Sequence, residues 1–151
     1  MNKAIRLLIA ALLLGLAAAA GADQLLMIRS SQPFPETMSA LQNAISDWGY
    51  KVTRVQNVDI GLSKIGYKTD NYKVVFYGKA EEVAQLVEKH PELIPYLPLN
   101  IVIFAEGDDS IVLTTNPRQL GNFFDKPELQ KIFSRWEQDT RAVFDALSKA
   151  P

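Results

Sequence analysis

Apolar residues change their spacing several times along this chain, and each change marks an element. Lys73-Val74-Val75-Phe76-Tyr77 is β-branched and aromatic, too short for a helix and stopped by Gly78, so it predicts a strand buried on both faces. From Lys79 the period becomes three and four. Ala80, Val83, Ala84 and Val87 form one stripe, and Glu81 and Glu82 occupy the first turn, where carboxylates suit the positive end of the helix dipole. Pro91 ends this helix at His90. A proline-rich connector, Glu92 to Pro98, leads to Leu99–Ala105, a second buried strand. Glu106-Gly107-Asp108-Asp109 is dense in turn formers and joins that strand to Ser110–Thr115 as a hairpin.

The flanking segments follow the same logic. Gln24–Arg29 predicts a first strand, and Pro35 pre-sets the first turn of a helix whose stripe is Met38, Leu41, Ile45 and Trp48, closed by Gly49. Tyr50–Val58 mixes polar and apolar residues, as a half-exposed strand does. In the irregular link from Asp59 to Asn71, Ile60, Leu62 and Ile65 mark a short helix or an apolar flap. Beyond Asn116, Pro117–Phe124 predicts a helical turn carrying Leu120, Phe123 and Phe124. Asp125 and Glu128 have the spacing of a capping box. Leu129, Ile132, Trp136, Val143 and Leu147 form the inner stripe of a long closing helix, flanked by Phe133 and Phe144. The order is β-α-β-β-α-β-β-α, which predicts an α+β fold with helices packed on a mainly antiparallel sheet.

Residues 1–22 do not belong to this pattern. Lys3 and Arg6 precede an apolar core from Leu7 to about Ala20, and Ala20-Gly21-Ala22 fits a signal-peptidase site, so residues 1–22 are expected to be a signal peptide. The rival reading, an uncleaved anchor, requires roughly 20 strongly apolar residues, which this Ala-rich core does not reach. Export to the periplasm or outside the cell is the expectation, with no stable membrane insertion after cleavage. Residues 23–151 then form a single domain of 129 residues. Without Lys3 and Arg6 it holds 14 basic and 17 acidic residues, a net charge of −3, which argues against nucleic acid as the main partner. The chain has no cysteine, so packing rather than disulfides must stabilise it.

Chemistry is sparse. His90, the one histidine, is the default general base or metal ligand, yet a histidine in the last turn before a proline, favoured there by the helix dipole, is the simpler explanation. No HExxH, GxSxG or phosphate-loop signature is present. Lys51, Arg54, Lys64 and Lys68 could line an anion site; scattered solvated side chains are the plainer explanation. Tyr50, Tyr67, Tyr72, Phe76, Tyr77 and Tyr96 could wall a small apolar pocket with polar tips, or simply pack the core. The candidate ligand-binding residues are therefore Lys51, Arg54, Lys64, Tyr67, Tyr72, Tyr77, His90 and Tyr96, with no catalytic residue, metal or cofactor assigned.

Trp48-Gly49-Tyr50-Lys51-Val52, Val58-Asp59-Ile60, Tyr72-Lys73-Val74-Val75-Phe76, Leu97-Pro98-Leu99-Asn100-Ile101-Val102-Ile103 and Asn116-Pro117 stand in an order that resembles the domain of unknown function 302 family. The resemblance spans nearly all of the chain after the leader. It implies a compact α+β fold of the TATA-binding-protein-like type, often a homodimer, with no assigned activity. Relatives often carry cysteines where this chain has Tyr77-Gly78 and Leu99, so thiol chemistry is not expected here. The expected function is an exported binding or interaction module for a small molecule or a partner protein. The alternatives are an enzyme using His90 with nearby carboxylates, or a haem or metal carrier using His90 with Met27 or Met38.

Overall fold

The computed structural model describes residues 24–66 and 71–148, and the expected signal peptide and Tyr67 lie outside the described residues. Five strands, β1 (Leu25–Ser30), β2 (Lys51–Asn57), β3 (Tyr72–Gly78), β4 (Leu99–Glu106) and β5 (Asp109–Thr115), form one antiparallel sheet in the order β1-β5-β4-β3-β2. Four helices accompany it: α1 (Phe34–Asp47), α2 (Val58–Lys64), α3 (Ala80–Lys89) and α4 (Pro127–Ser148). Two 3-10 segments, Pro91–Tyr96 and Pro117–Asn122, fill the proline-bearing connectors. The α+β class and the expected order hold, with α2 added in the link that sequence left as a helix or a flap.

Because strand side chains alternate, the register divides the sheet into two faces. Val75 and Tyr77 of β3, Leu99, Ile101 and Ile103 of β4, Val112 of β5 and Leu26 of β1 point to one face and join the core with Leu41, Ile45, Leu129, Phe133, Trp136, Val143 and Phe144 of α1 and α4. The opposite face carries Tyr72, Val74, Phe76, Val102, Phe104 and Leu113, all half-buried. Strands β3 and β4 are thus fully buried on one face, not two, although Ile111 of β5 is buried on the other: a five-stranded antiparallel sheet can present β-branched and aromatic residues on both sides while these helices cover only one.

Three helix faces also differ from expectation. Trp48 follows the last turn of α1 and is 45% exposed, because the chain turns away there and Gly49 adopts φ +73°. The buried stripe of α1 is Phe34, Thr37, Leu41, Ala44 and Ile45. Along α3, Leu86 is the buried residue, while Ala80, Ala84 and Val87 are exposed, so the helix lies rotated from the Ala80–Val87 stripe. On α4, Phe133, Thr140 and Phe144 are buried with Leu129, Trp136, Val143 and Leu147, whereas Ile132 is half-buried. Helix α4 begins at Pro127, and the backbone carbonyl of Lys126 takes the first helical bonds, so Asp125 stands one position too early to cap it.

The two tryptophans consequently separate. Trp136 is 2% exposed and its indole N–H donates to Glu82 at 3.3 Å. Trp136→Ala is expected to lower stability by about 3–5 kcal/mol, the usual cost of emptying a core aromatic site, and Trp48→Ala by less than about 1 kcal/mol. Denaturant unfolding of both variants checks the assignment.

Candidate functional site

At the end of the sheet where β4 begins and β5 finishes, the two 3-10 segments face each other across a cleft of about 290 Å³. Pro91 and Pro95 hold the first segment, and the following Leu97–Pro98 bond is cis, which delivers the chain into β4 at Leu99. Pro117 opens the second segment directly after Asn116. Tyr96, Pro95, Leu99, Leu120 and Phe123 give the cleft apolar walls, Tyr77 closes its inner side, and Asn100, Thr114, Thr115, Asn116 and Gln119 supply polar atoms. Among the described residues, its lining contains no Asp, Glu, Lys, Arg or His.

One polar lock holds this end together. Asn116 is fully buried, and its side-chain oxygen accepts from the Arg118 amide at 2.9 Å while its Nδ2 donates to Glu137 at 3.0 Å. Its backbone N–H donates to the Gln24 carbonyl at 2.9 Å, so a single residue connects the start of β1, the second 3-10 segment and α4. Burial pushes the Glu137 carboxyl up, but hydrogen bonds from Arg141 and Asn116 outweigh it and leave the group below its ordinary value. Gln130 adds a second tie: its Nε2 donates to the carbonyls of Gly121 and Phe124 at 2.8 and 3.1 Å and sets the loop that carries Phe123. Phe124 turns the other way, edge-on to Tyr96 and against Phe133.

Of the sequence-derived candidates, the cleft gathers two, Tyr77 and Tyr96. Tyr77 is a wall: it is 2% exposed, its hydroxyl lies 3.1 Å from that of Thr140, and burial pushes the phenol up to about 12. Tyr96 stands at the mouth, 43% exposed. Lys51 and Arg54 lie exposed on edge strand β2, Lys64 ends α2, and Tyr72 stacks on Phe104 at 5.3 Å on the face opposite the core. None of these four lines the cleft. Two other basic side chains are engaged locally: Lys73 binds Asp59 at 2.8 and 3.1 Å, and Lys79 sits 4.3 Å over the Tyr50 ring.

His90 is 9% exposed and packs beside ionic groups rather than in the cleft. Its Nδ1 lies 3.3 Å from Lys126 Nζ and 3.4 Å from Glu92, and its Nε2 lies 3.9 Å from Glu128. The Lys126 ammonium holds the Glu92 carboxyl down at about 2. Met27 projects from the exposed side of β1, and among the described residues no group of three or more His, Asp or Glu side chains could hold a metal ion. Among the described residues His90 does not join Tyr96 in lining the cleft, so the acid–base arrangement of His90, Tyr96 and a carboxylate is not assembled there. Sequence reasoning missed Asn100, Thr114, Asn116, Leu120 and Phe123. The Asn116-Pro117 pair was visible, but polar residues at strand ends carry no signal of what they face.

The lock makes a pH prediction. A carboxyl depressed in the folded state stabilises the protein fully above its unfolded value near 4.5, and that contribution fades as pH falls through the folded value. Glu137→Gln is therefore expected to cost about 1–3 kcal/mol at pH 7, by leaving buried hydrogen-bond partners poorly matched, with the gap from the wild type shrinking below pH 4. Thermal unfolding of both proteins across that range checks it.

The comparisons agree with this architecture. A crystal structure of an uncharacterized conserved DUF302 protein from Bacillus stearothermophilus superimposes with a TM-score of 0.73 at 18% sequence identity, covering 82% of this chain and 97% of that one. This likeness is one of fold. No curated protein matches the chain. The model of the domain of unknown function DUF302 matches residues 26–147, from the first core residue of β1 to the last buried residue of α4, and the chain belongs to that family.

Proposed function

We propose that the protein is an exported binding module whose cleft takes a small, uncharged ligand without chemical turnover. The observation that supports this reading is the composition of the cleft: aromatic and aliphatic walls, amide and hydroxyl groups between them, and no ionisable group of the kind acid–base chemistry uses near neutral pH. Its volume of about 290 Å³ lies near the lower end of the range of roughly 300–1,000 Å³ typical of small-molecule sites. Phe123, 74% exposed, and Tyr96, 43% exposed, stand at the rim, where a ligand would desolvate them. A charged ligand would find no opposite charge to replace its lost hydration, so affinity favours a neutral molecule with an apolar body and one hydrogen-bonding edge. The leader-like residues 1–22 support export, and signal cleavage after Ala22 is part of the reading.

Native mass spectrometry of protein purified from its own compartment tests both points. Retention of one small molecule per chain is expected, on a species lacking residues 1–22. Phe123→Ala should weaken retention about tenfold, by removing exposed aromatic contact area, while leaving the melting temperature within about 2 °C of the wild type. An empty wild-type cleft, or a ligand held equally by Phe123→Ala, would count against the cleft.

A further inference from the structure

The cleft lies where two neighbouring strands diverge. Strand β4 stays paired with β3 as far as its first residue, Leu99 opposite Tyr77, and β5 stays paired with β1 as far as its last, Thr115 opposite Leu25. Between β4 and β5 the register ends sooner, at Val102 opposite Leu113. Among the described residues the next two pairs in that register, Ile101 with Thr114 and Asn100 with Thr115, are not formed. The sheet therefore forks at this end, and Leu99, Asn100, Thr114 and Thr115 line the opening.

Alternation along each strand decides which backbone groups face the fork. The Asn116 amide donates to the Gln24 carbonyl at 2.9 Å, so Asn116 and Thr114 turn their N–H and C=O groups toward β1, while Thr115 and Leu113 turn theirs toward β4. Opposite Leu113, Val102 turns toward β5, and so does Asn100 two residues away. A side-chain contact agrees with this phase. The Thr114 hydroxyl reaches across the fork and donates to the Asn100 carbonyl at 2.6 Å, and it lies 3.4 Å from the Thr115 carbonyl. Its single hydrogen serves the shorter contact. The Asn100 N–H and the Thr115 C=O, which a continued ladder would join, thus face the opening from its two sides.

Taking the cleft as the ligand site proposed above, we infer that its ligand is a neutral secondary amide. A trans amide carries its carbonyl and its N–H on opposite sides, as a residue of an inserted strand does. Its carbonyl accepts from the Asn100 N–H and its N–H donates to the Thr115 carbonyl, so the pairing that β4 and β5 do not make directly is completed through the ligand. An apolar substituent on the amide lies among Tyr96, Leu99, Leu120 and Phe123. An ester or ketone of the same shape offers an acceptor alone and leaves the Thr115 carbonyl without a donor once water is displaced. The class comprises N-acylated amines and the peptide bond of a short, uncharged peptide.

Titration of the purified protein followed by amide NMR, with N-benzylacetamide and its isostere benzyl acetate as probes, tests this. N-benzylacetamide is expected to bind about tenfold more tightly, since it alone donates a hydrogen bond to Thr115. Its binding should move the Asn100 and Thr115 amide resonances and leave those of β2 in place. Equal affinity for the two probes would overturn the amide assignment and leave the cleft standing as a site for neutral ligands. So would failure of N-benzylacetamide to bind to a protein that retains another molecule in its native state. Binding of neither probe, together with an empty native cleft, would overturn both readings.

Discussion

Burial of one stripe of α4 against one face of the sheet is the interaction on which the rest of this protein depends. Leu129, Phe133, Trp136, Val143, Phe144 and Leu147 extend along the helix and meet side chains from β1, β3, β4 and β5, so a single element spans the core. With no disulfide available, removing these surfaces from water is the main favourable term that opposes chain entropy. Helix α1 adds Leu41 and Ile45 to the same layer. The opposite face of the sheet lacks the cover of these two helices, and its aromatic and β-branched residues shield one another, as Tyr72 does with Phe104.

The cleft is a by-product of how that layer ends. Where α4 starts, the chain has just left β5 through Asn116 and a 3-10 turn, and α3 delivers a second 3-10 turn from the other side. Prolines stiffen both connectors, so the space between them is held open by backbone rather than by charged side chains. The buried lock of Asn116, Glu137 and the Arg118 amide then fixes the depth of the floor. A site made this way favours recognition by shape and by a few amide and hydroxyl groups. The ionic groups that could do proton chemistry, His90 with Lys126, Glu92 and Glu128, belong to a neighbouring cluster that joins the end of α3 to the start of α4.

Residues 51–79 hold six Lys or Arg against two Asp, and residues 80–109 hold seven carboxylates against Lys89, an asymmetry with a structural counterpart. Within that basic stretch Lys51 and Arg54 remain in solvent on edge strand β2, while Lys73 and Lys79 are drawn into local partnerships with Asp59 and the Tyr50 ring. Carboxylates on α3 and after it serve the packing of α4: Glu82 takes Arg135 and the Trp136 indole, and Glu92 takes Lys126. What composition presents as two patches of opposite sign is, in the fold, a solvated edge strand and a set of inter-element ties.

By itself the sequence determined the elements, their order and the antiparallel sheet, because period-two and period-3.6 patterns, prolines and turn formers act within a few residues of where they occur. It also carried the family resemblance. Tertiary structure alone decided which side of each element faces inward. Trp48 continued the apolar period of α1, yet it lies past the helix's last turn, where the chain turns away through Gly49, and β3 appeared buried on both faces although helices cover only one. It also decided which polar residues meet: Thr114, Asn116 and Gln119 are ordinary strand-end and turn residues until two distant 3-10 segments enclose them with Tyr96 and Phe123. Periodicity reports how a residue relates to its neighbours along the chain, whereas a cleft is defined by residues far apart in that chain, and only the packed layers bring them together.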